Sequence, residues 1–451
     1  MVAAGAWFLF RTPLTDPVQI ALGLAILVLA TLPALQWARQ AQPNFPAFEI
    51  FMLTGASFYA VPMLGGREDV FAFSDQDVTA AAVAVLFFQL PAVIAYFAVR
   101  GHPARHPLLT ESLVPERILH QTQIGLWLYT AYLCLANFTS AISPEVVPIL
   151  RAIFAGLGII CSFIQAQLWG AGQLRRSEKI VYGANLGFQV TLAFSDLYLI
   201  GGLSQLILSL IAYVTASRRV PVVLTVLALA VIALLHNGKA AMREIYWRPD
   251  GPPRPAVFEL PAFYQQWIEL GLHPPADRLD RKSSLAENLL ERAALFQMLC
   301  LTIDRIPDHL PHLDGETYKD IPAQLVPRIL WPGKPSPHQS NSRLAIYLGL
   351  VDEGGAEKVS IAFGLICEAY ANFGHLGVAV LGLALGALFK RLTLWGRDAP
   401  KFSALGLFLI LLTAWSFQVE QVLATWLISL FQASVVVVGI PLASRSLLRK
   451  A

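Results

Sequence analysis

Glu368, Asn372 and His375 recur at i, i+4 and i+7 inside the apolar run Ile361 to Phe389. In a helix that spacing places all three on one face. A carboxylate within such a run costs about 2.5–3.5 kcal/mol on membrane-insertion scales, and residues of this kind usually face a cavity or a partner. Glu368 could take the proton of an attacking hydroxyl, with His375 and the more distant His338 as further bases. It could equally lock helices together in a buried polar network. Glu420 and Gln421, at the turn between the last two apolar runs, could converge on the same place.

Two cationic groups accompany this acidic one. His236-Asn237-Gly238-Lys239 and Arg243 follow an apolar run. Basic groups there can grip phosphate, arginine with a two-pronged donor set, or can anchor ordinary lipid headgroups. Pro327-Arg328-Ile329-Leu330-Trp331-Pro332-Gly333-Lys334-Pro335 packs three prolines among nine residues. Such a strap is stiff and extended, so Arg328 and Lys334 point in defined directions. It could clamp a pyrophosphate while Trp331 stacks on a sugar, or it is a rigid loop with solvated charges. Upstream, Glu316 and Tyr318 in Gly315-Glu316-Thr317-Tyr318 offer a carboxylate and hydroxyls of the kind that bind carbohydrate.

The elements that must position these groups are membrane helices. Mean hydropathy is +0.57, with 56% hydrophobic and 14% charged residues, a composition outside the range of soluble domains. Net charge of +3 argues against nucleic acid as a partner. The four cysteines, Cys134, Cys161, Cys300 and Cys367, show no disulfide or metal-ligand spacing and read as small packing residues. No metal or cofactor is expected.

Apolar runs centre near residues 27, 56, 88, 130, 160, 188, 206, 228, 375, 410 and 432, about eleven spans in an all-α polytopic membrane protein. Alternate connections carry Arg39; Arg100, Arg105 and Arg117; Arg175, Arg176 and Lys179; Arg218 and Arg219; and Lys390, Arg391, Arg397 and Lys401. The C-terminal tail adds Arg445, Arg449 and Lys450. The opposite short connections hold only Arg11 and Arg67. This bias puts the C-terminus in the cytoplasm and the long polar insert outside. The chain divides into N-terminal membrane helices (1–236), the large extracytoplasmic loop (237–360) and C-terminal membrane helices (361–451). Within the loop, Phe258 to Leu272 has the content of an interfacial helix. Ser284-Leu285-Ala286-Glu287 matches a capping box. Leu289, Ala293, Phe296, Cys300 and Ile303 then recur at helical spacing until Pro307. The loop is therefore expected to be ordered. Gly382 and Gly386 form a small-xxx-small motif for helix packing.

Gly315-Glu316-Thr317-Tyr318, Pro327-Arg328 to Lys334-Pro335, and Glu368-Ala369-Tyr370-Ala371-Asn372-Phe373-Gly374 together resemble the Wzy-type oligosaccharide repeat-unit polymerases, grouped with the O-antigen and exopolysaccharide polymerases. The likeness covers about 140 residues of motif-bearing sequence, from near Arg243 through His375. It implies a metal-independent glycosyltransferase of GT-C-like architecture in a bacterial inner membrane, its large loop periplasmic. Its substrates would be polyprenyl-pyrophosphate-linked oligosaccharides, with membrane lipid, a chain-length regulator and a flippase as candidate partners. By the same resemblance Arg243, Arg292 and Arg328 would hold the donor phosphates, and Lys239 and Lys334 are candidates for the same role from their charge and place in the chain. Glu368, His338 and His375 would supply the base, and Trp331, Glu316, Tyr318 and Asn372 would contact sugar. A ligase that uses the same donor but another acceptor, and a transporter or flippase of lipid-linked saccharides, are the competing readings.

Overall fold

Long apolar runs leave the backbone no partner but itself, so in a membrane they form helices. The computed structural model describes residues 12–40, 45–65, 70, 72–113, 122–138, 147–197, 199–247, 251–253, 255–273, 295–326, 331, 333–336, 338–353, 361–439 and 441–443. Among the described residues each expected run holds a helix. Eight precede the insert: α1 (Pro17–Gln40), α2 (Ala47–Leu64), α3 (Asp75–Ala98), α4 (Thr122–Phe138), α5 (Val147–Gly170), α6 (Arg176–Phe194), α7 (Leu199–Ser217) and α8 (Val222–Tyr246). The insert contributes α9 (Leu260–Leu272), α10 (Leu295–Arg305) and α11 (Gln339–Tyr347). After it come α12 (Gly364–Trp395), α13 (Ala404–Trp415) and α14 (Leu423–Ser434). Among the described residues, six helical segments are long and apolar enough to cross a membrane: α1, α2, α3, α8, α12, and Leu423–Ala443, which extends α14. This is a helical, multi-pass membrane protein.

The chain forms two units, Met1–Glu111 with Leu290–Gln432, and Ser112–Leu289 with Ala433–Ala451. In the first unit, α1 and α3 run parallel, because Gln19 near the start of one donates to Asp75 Oδ1 at the start of the other (3.2 Å). Leu64, at the end of α2, packs where a side chain on Gly23 of α1 would lie, so α2 runs the other way. α12 runs parallel to α3, with Gly382 against the Phe88 carbonyl and Gly386 against that of Ala92. The parallel run gathers charge by sign. Asp75 and Asp77 open α3 behind an N-cap at Ser74, whose Oγ accepts from Asp77 N. At the far end Ala104 N donates to Trp395 O (3.1 Å), bringing Arg100 and Arg105 beside Arg391 and Arg397.

In the second unit, α9 is the expected insert helix, and it lies directly against α8. Gly238 and Gly271 permit the approach: a Cβ on Gly238 would sit 2.6 Å from Trp267 O, and one on Gly271 would sit 2.5 Å from Leu234 O. The contact is fastened by Trp267 Nε1 donating to Leu235 O (2.6 Å) and Asn237 Nδ2 donating to Gly271 O (2.5 Å). Phe263 and Trp267 are buried there with Val190, Phe194 and Met242. In the first unit, α10 covers the second half of the expected periodic stretch and ends before Pro307 with Leu295, Phe296, Leu299, Cys300 and Ile303 buried. The capping box at Ser284 lies outside the described residues.

Candidate functional site

The site is organised by a break in α12. Phe373 (φ −141°, ψ 15°) and Gly374 (φ 62°, ψ −154°) leave helical geometry, and glycine is the residue that takes a positive φ without a steric penalty. Carbonyls freed by the break need other donors. Leu313 N supplies Ala371 O (3.0 Å) and Asp314 N supplies Asn372 O (3.2 Å). Asn372, fully buried, completes the joint. Its Oδ1 accepts from Gly315 N (3.0 Å), while Nδ2 donates to Thr317 Oγ1 (2.8 Å) and to Glu368 O (2.8 Å). The Gly315-Glu316-Thr317-Tyr318 turn is thus docked on the helix carrying Glu368, two segments that the resemblance had joined only in sequence. The break also corrects one expectation. Helical register from Glu368 is lost before His375, whose ring packs edge-on to Phe87 (5.4 Å) and Tyr370 (5.1 Å).

Glu368 has no exposed surface. Its Oε2 accepts from Leu423 N at 2.6 Å, so a carboxylate from α12 satisfies an orphan donor at the N-terminus of α14, where the helix dipole also favours negative charge. The Thr317 hydroxyl reaches the same carboxyl. Oε1 is buried and without a hydrogen-bond partner, as is the hydroxyl of Tyr318, an arrangement that ordinarily carries a free-energy cost. The Tyr318 ring packs near Phe373 (6.3 Å). Burial pushes its phenol up, and the charge of Glu368 adds to the shift. The turn carrying Glu420 and Gln421 is tied to the start of α12, where Glu420 O accepts from Gly364 N (3.0 Å); Gln421 Nε2 donates to Gln418 Oε1 (2.9 Å), and each side chain keeps a buried oxygen without a partner.

Burial pushes the Glu420 carboxyl up to about 7, from 4.5. The folded protein therefore holds this proton more tightly than the unfolded chain. The associated stability is fully present below pH 4.5 and is lost as pH rises through about 7. Thermal unfolding in detergent should accordingly shift to lower temperature between pH 5 and pH 8, and Glu420→Gln should flatten the shift. Equal shifts in parent and variant would assign the dependence to another group.

The remaining sequence-predicted residues are dispersed. Lys334 is buried, its Nζ donating to Gln324 O (3.0 Å) and Val326 O (2.7 Å). Trp331 is about half exposed. Glu316 is at the surface in an ion pair with Lys319 and near Arg343; Lys319 holds its carboxyl below the usual range. His338 is exposed at the N-cap of α11. Arg328 and Arg292 lie outside the described residues. Lys239 and Arg243 belong to the second unit. Lys239 is buried there, and Arg243 donates to Leu197 O (2.8 Å) with its guanidinium 4.0 Å from the Trp247 ring.

Three residues of the first unit were not anticipated. Thr317 bridges Asn372 and Glu368; its presence in the quoted motif was the available signal. His312 lies against Gly374, with Nδ1 buried and unpartnered. Arg343 ties α11 to the turn through Asp320 (3.2 Å) and the Glu316 carbonyl. The second unit holds an uncharged polar core inside apolar helices. Gln189 Nε2 donates to Thr130 Oγ1 (2.8 Å) and Asn185 Oδ1 (2.6 Å), Gln165 Nε2 to Thr122 Oγ1 (2.7 Å), and Ser162 contacts Tyr182 (3.2 Å). Asn185 and Gln189 at i and i+4 in an apolar run were its sequence signal. Among the described residues no three His, Cys, Asp or Glu side chains converge as a metal set.

Comparison with curated proteins and with solved structures gives no match. Residues 126–399, from α4 to just beyond α12 and so including the broken helix and the docked turn, match the family described as Domain of unknown function (DUF8712). That segment is more than half of the chain, and the protein therefore belongs to this family.

Proposed function

We propose that the protein is a metal-independent glycosyltransferase that polymerises polyprenyl-pyrophosphate-linked oligosaccharide repeat units at the periplasmic face of a bacterial inner membrane. The observation that carries this reading is the buried Glu368 carboxyl, with one oxygen spent on the α14 N-terminus and the other unpaired beside Thr317 and Tyr318. In this reading a glycan hydroxyl enters as the 313–318 turn lifts from Gly374, and Oε1 accepts its proton. The acceptor oxygen forms a bond to the anomeric carbon as the bond to pyrophosphate breaks, and polyprenyl pyrophosphate departs. In this reading Arg328 of the insert, expected from the sequence to hold donor phosphate, stabilises the departing charge. Eleven crossings, with the C-terminus cytoplasmic, complete the proposed topology.

A purified-protein assay with a defined lipid-linked repeat unit tests the reading. Products longer than one repeat unit are expected. Transfer to a different lipid or protein acceptor, without elongation, would replace polymerase by ligase. One observation favours a transporter instead: a helix broken inside the apolar bundle, as in the discontinuous helices of secondary transporters. Movement of the intact lipid-linked saccharide across vesicles, with no bond formed, would decide for that alternative.

A further inference from the structure

The basic end of the first unit carries charge that its fold does not use. Arg100 follows the end of α3, Arg105 lies on the connection behind it, Lys390 and Arg391 occupy the last turns of α12, and Arg397 follows. Ala104 N to Trp395 O ties the two segments together (3.1 Å). A Cβ on Gly101 would lie 3.9 Å from Arg391 Nη1, so the guanidinium rests over the turn between Arg100 and His102. Arg397 is close enough to repel the Lys390 ammonium.

Arg100, Arg105, Arg391 and Arg397 are exposed, and among the described residues none pairs with a carboxylate. Of the nearby acids, Glu49 is buried on α2, accepts from Tyr96 OH (2.8 Å) and acts on Lys390, while Asp398 follows Arg397 at the surface. The C-terminal ends of α3 and α12 attract cations, but two partial charges and the two carboxyls of Glu49 and Asp398 do not balance five whole positive charges.

The depth of the cluster identifies what does. It lies where two membrane-length helices end, and aromatic faces accompany it. Arg391 stands 5.4 Å from the Trp395 ring, which is partly exposed, and Lys390 stands 4.7 Å from that of Tyr96. Aromatic rings mixed with arginine at the end of a span mark headgroup level, and basic pockets between spans take anionic headgroups there. We propose that this end of the first unit binds the headgroup of an anionic phospholipid, held by Arg100, Arg391 and Arg397 against the Trp395 ring. The site is separate from the Glu368 constellation and does not depend on the glycosyltransferase reading.

Native mass spectrometry of the full-length protein in detergent, titrated with phosphatidylglycerol or phosphatidylcholine of the same acyl chains, tests this. Phosphatidylglycerol should be retained at least about fivefold better. Replacing Arg100, Arg391 and Arg397 together by glutamine should abolish the preference, while replacing all three by lysine should keep most of it. Glutamine at Arg175 and Arg176, a basic pair in the second unit, should leave it unchanged. Equal retention of the two lipids would overturn the proposal, as would an undiminished preference in the triple glutamine variant. Displacement of the bound lipid by millimolar inorganic phosphate would also overturn it, because the site would then be one for soluble anions.

Discussion

Glu368→Gln should lower polymer formation by a hundredfold or more, while the purified protein unfolds within a few degrees of the parent. The two outcomes separate because the carboxyl has two oxygens with different duties. Glutamine is nearly isosteric, and its amide oxygen can still accept from Leu423 N, now 2.6 Å from Oε2. The cap on α14 therefore survives. What is lost is the ability of Oε1 to receive a proton, and removal of a positioned general base costs about 10²–10⁴-fold. Glu368→Leu is the complementary variant. It also removes the cap and leaves a buried N–H unpaired, which costs about 1–3 kcal/mol, so it should lose both turnover and stability. Rates from single-turnover elongation and midpoints from thermal unfolding check both. Full turnover in the glutamine variant would leave Glu368 as a helix cap and nothing more.

How far the sequence reveals this arrangement depends on how local each contact is. Helix positions are local: an apolar run of membrane length has one backbone solution, and every run found in the sequence holds a helix. The docking of Thr317 on Asn372 is non-local, 55 residues apart, and no spacing within either motif shows that the two meet. Nor is the break at Gly374 legible. Glycine is ordinary in membrane helices, and only the His312 ring and the Leu313 and Asp314 donors show why a positive φ is used there. Lys334 illustrates the opposite failure. A lysine in a proline strap suggests a solvated charge aimed at a ligand, yet its ammonium is buried on the Gln324 and Val326 carbonyls, eight to ten residues away. Arg243 likewise meets the carbonyl of Leu197, a residue in left-handed conformation at the tight α6–α7 turn. Charge and spacing show which residues can bind an anion. They do not show which of them the backbone has already engaged.

The other large effect belongs to packing, at the seam between α3 and α12. Without water to expel, membrane helices associate through close backbone approach, which small residues permit. Here the approach is extreme. A Cβ on Gly386 would sit 2.1 Å from Ala92 O and 2.8 Å from Ala92 Cα, and one on Gly382 would sit 2.3 Å from Phe88 O. The obstructing atoms are main chain within α3, which cannot rotate away as a flexible side chain would. Gly386→Ala should therefore force the helices apart over the whole contact, disturbing the Phe51–Phe389 packing (5.2 Å) that lies one turn further on. Overpacking of a tight core costs about 1–3 kcal/mol, more where nothing can yield, so Gly386→Ala should cost about 3 kcal/mol or more. Gly386→Val should yield little monodisperse protein. Fluorescence-detected size exclusion and thermal unfolding read this directly, with Leu383→Ala as the control because the Leu383 side chain is about half exposed. Parent-like stability in Gly386→Ala would mean that the two helices are not held at this separation, and the parallel α3–α12 frame that carries both the Glu368 site and the basic end would then lack its proposed fastening.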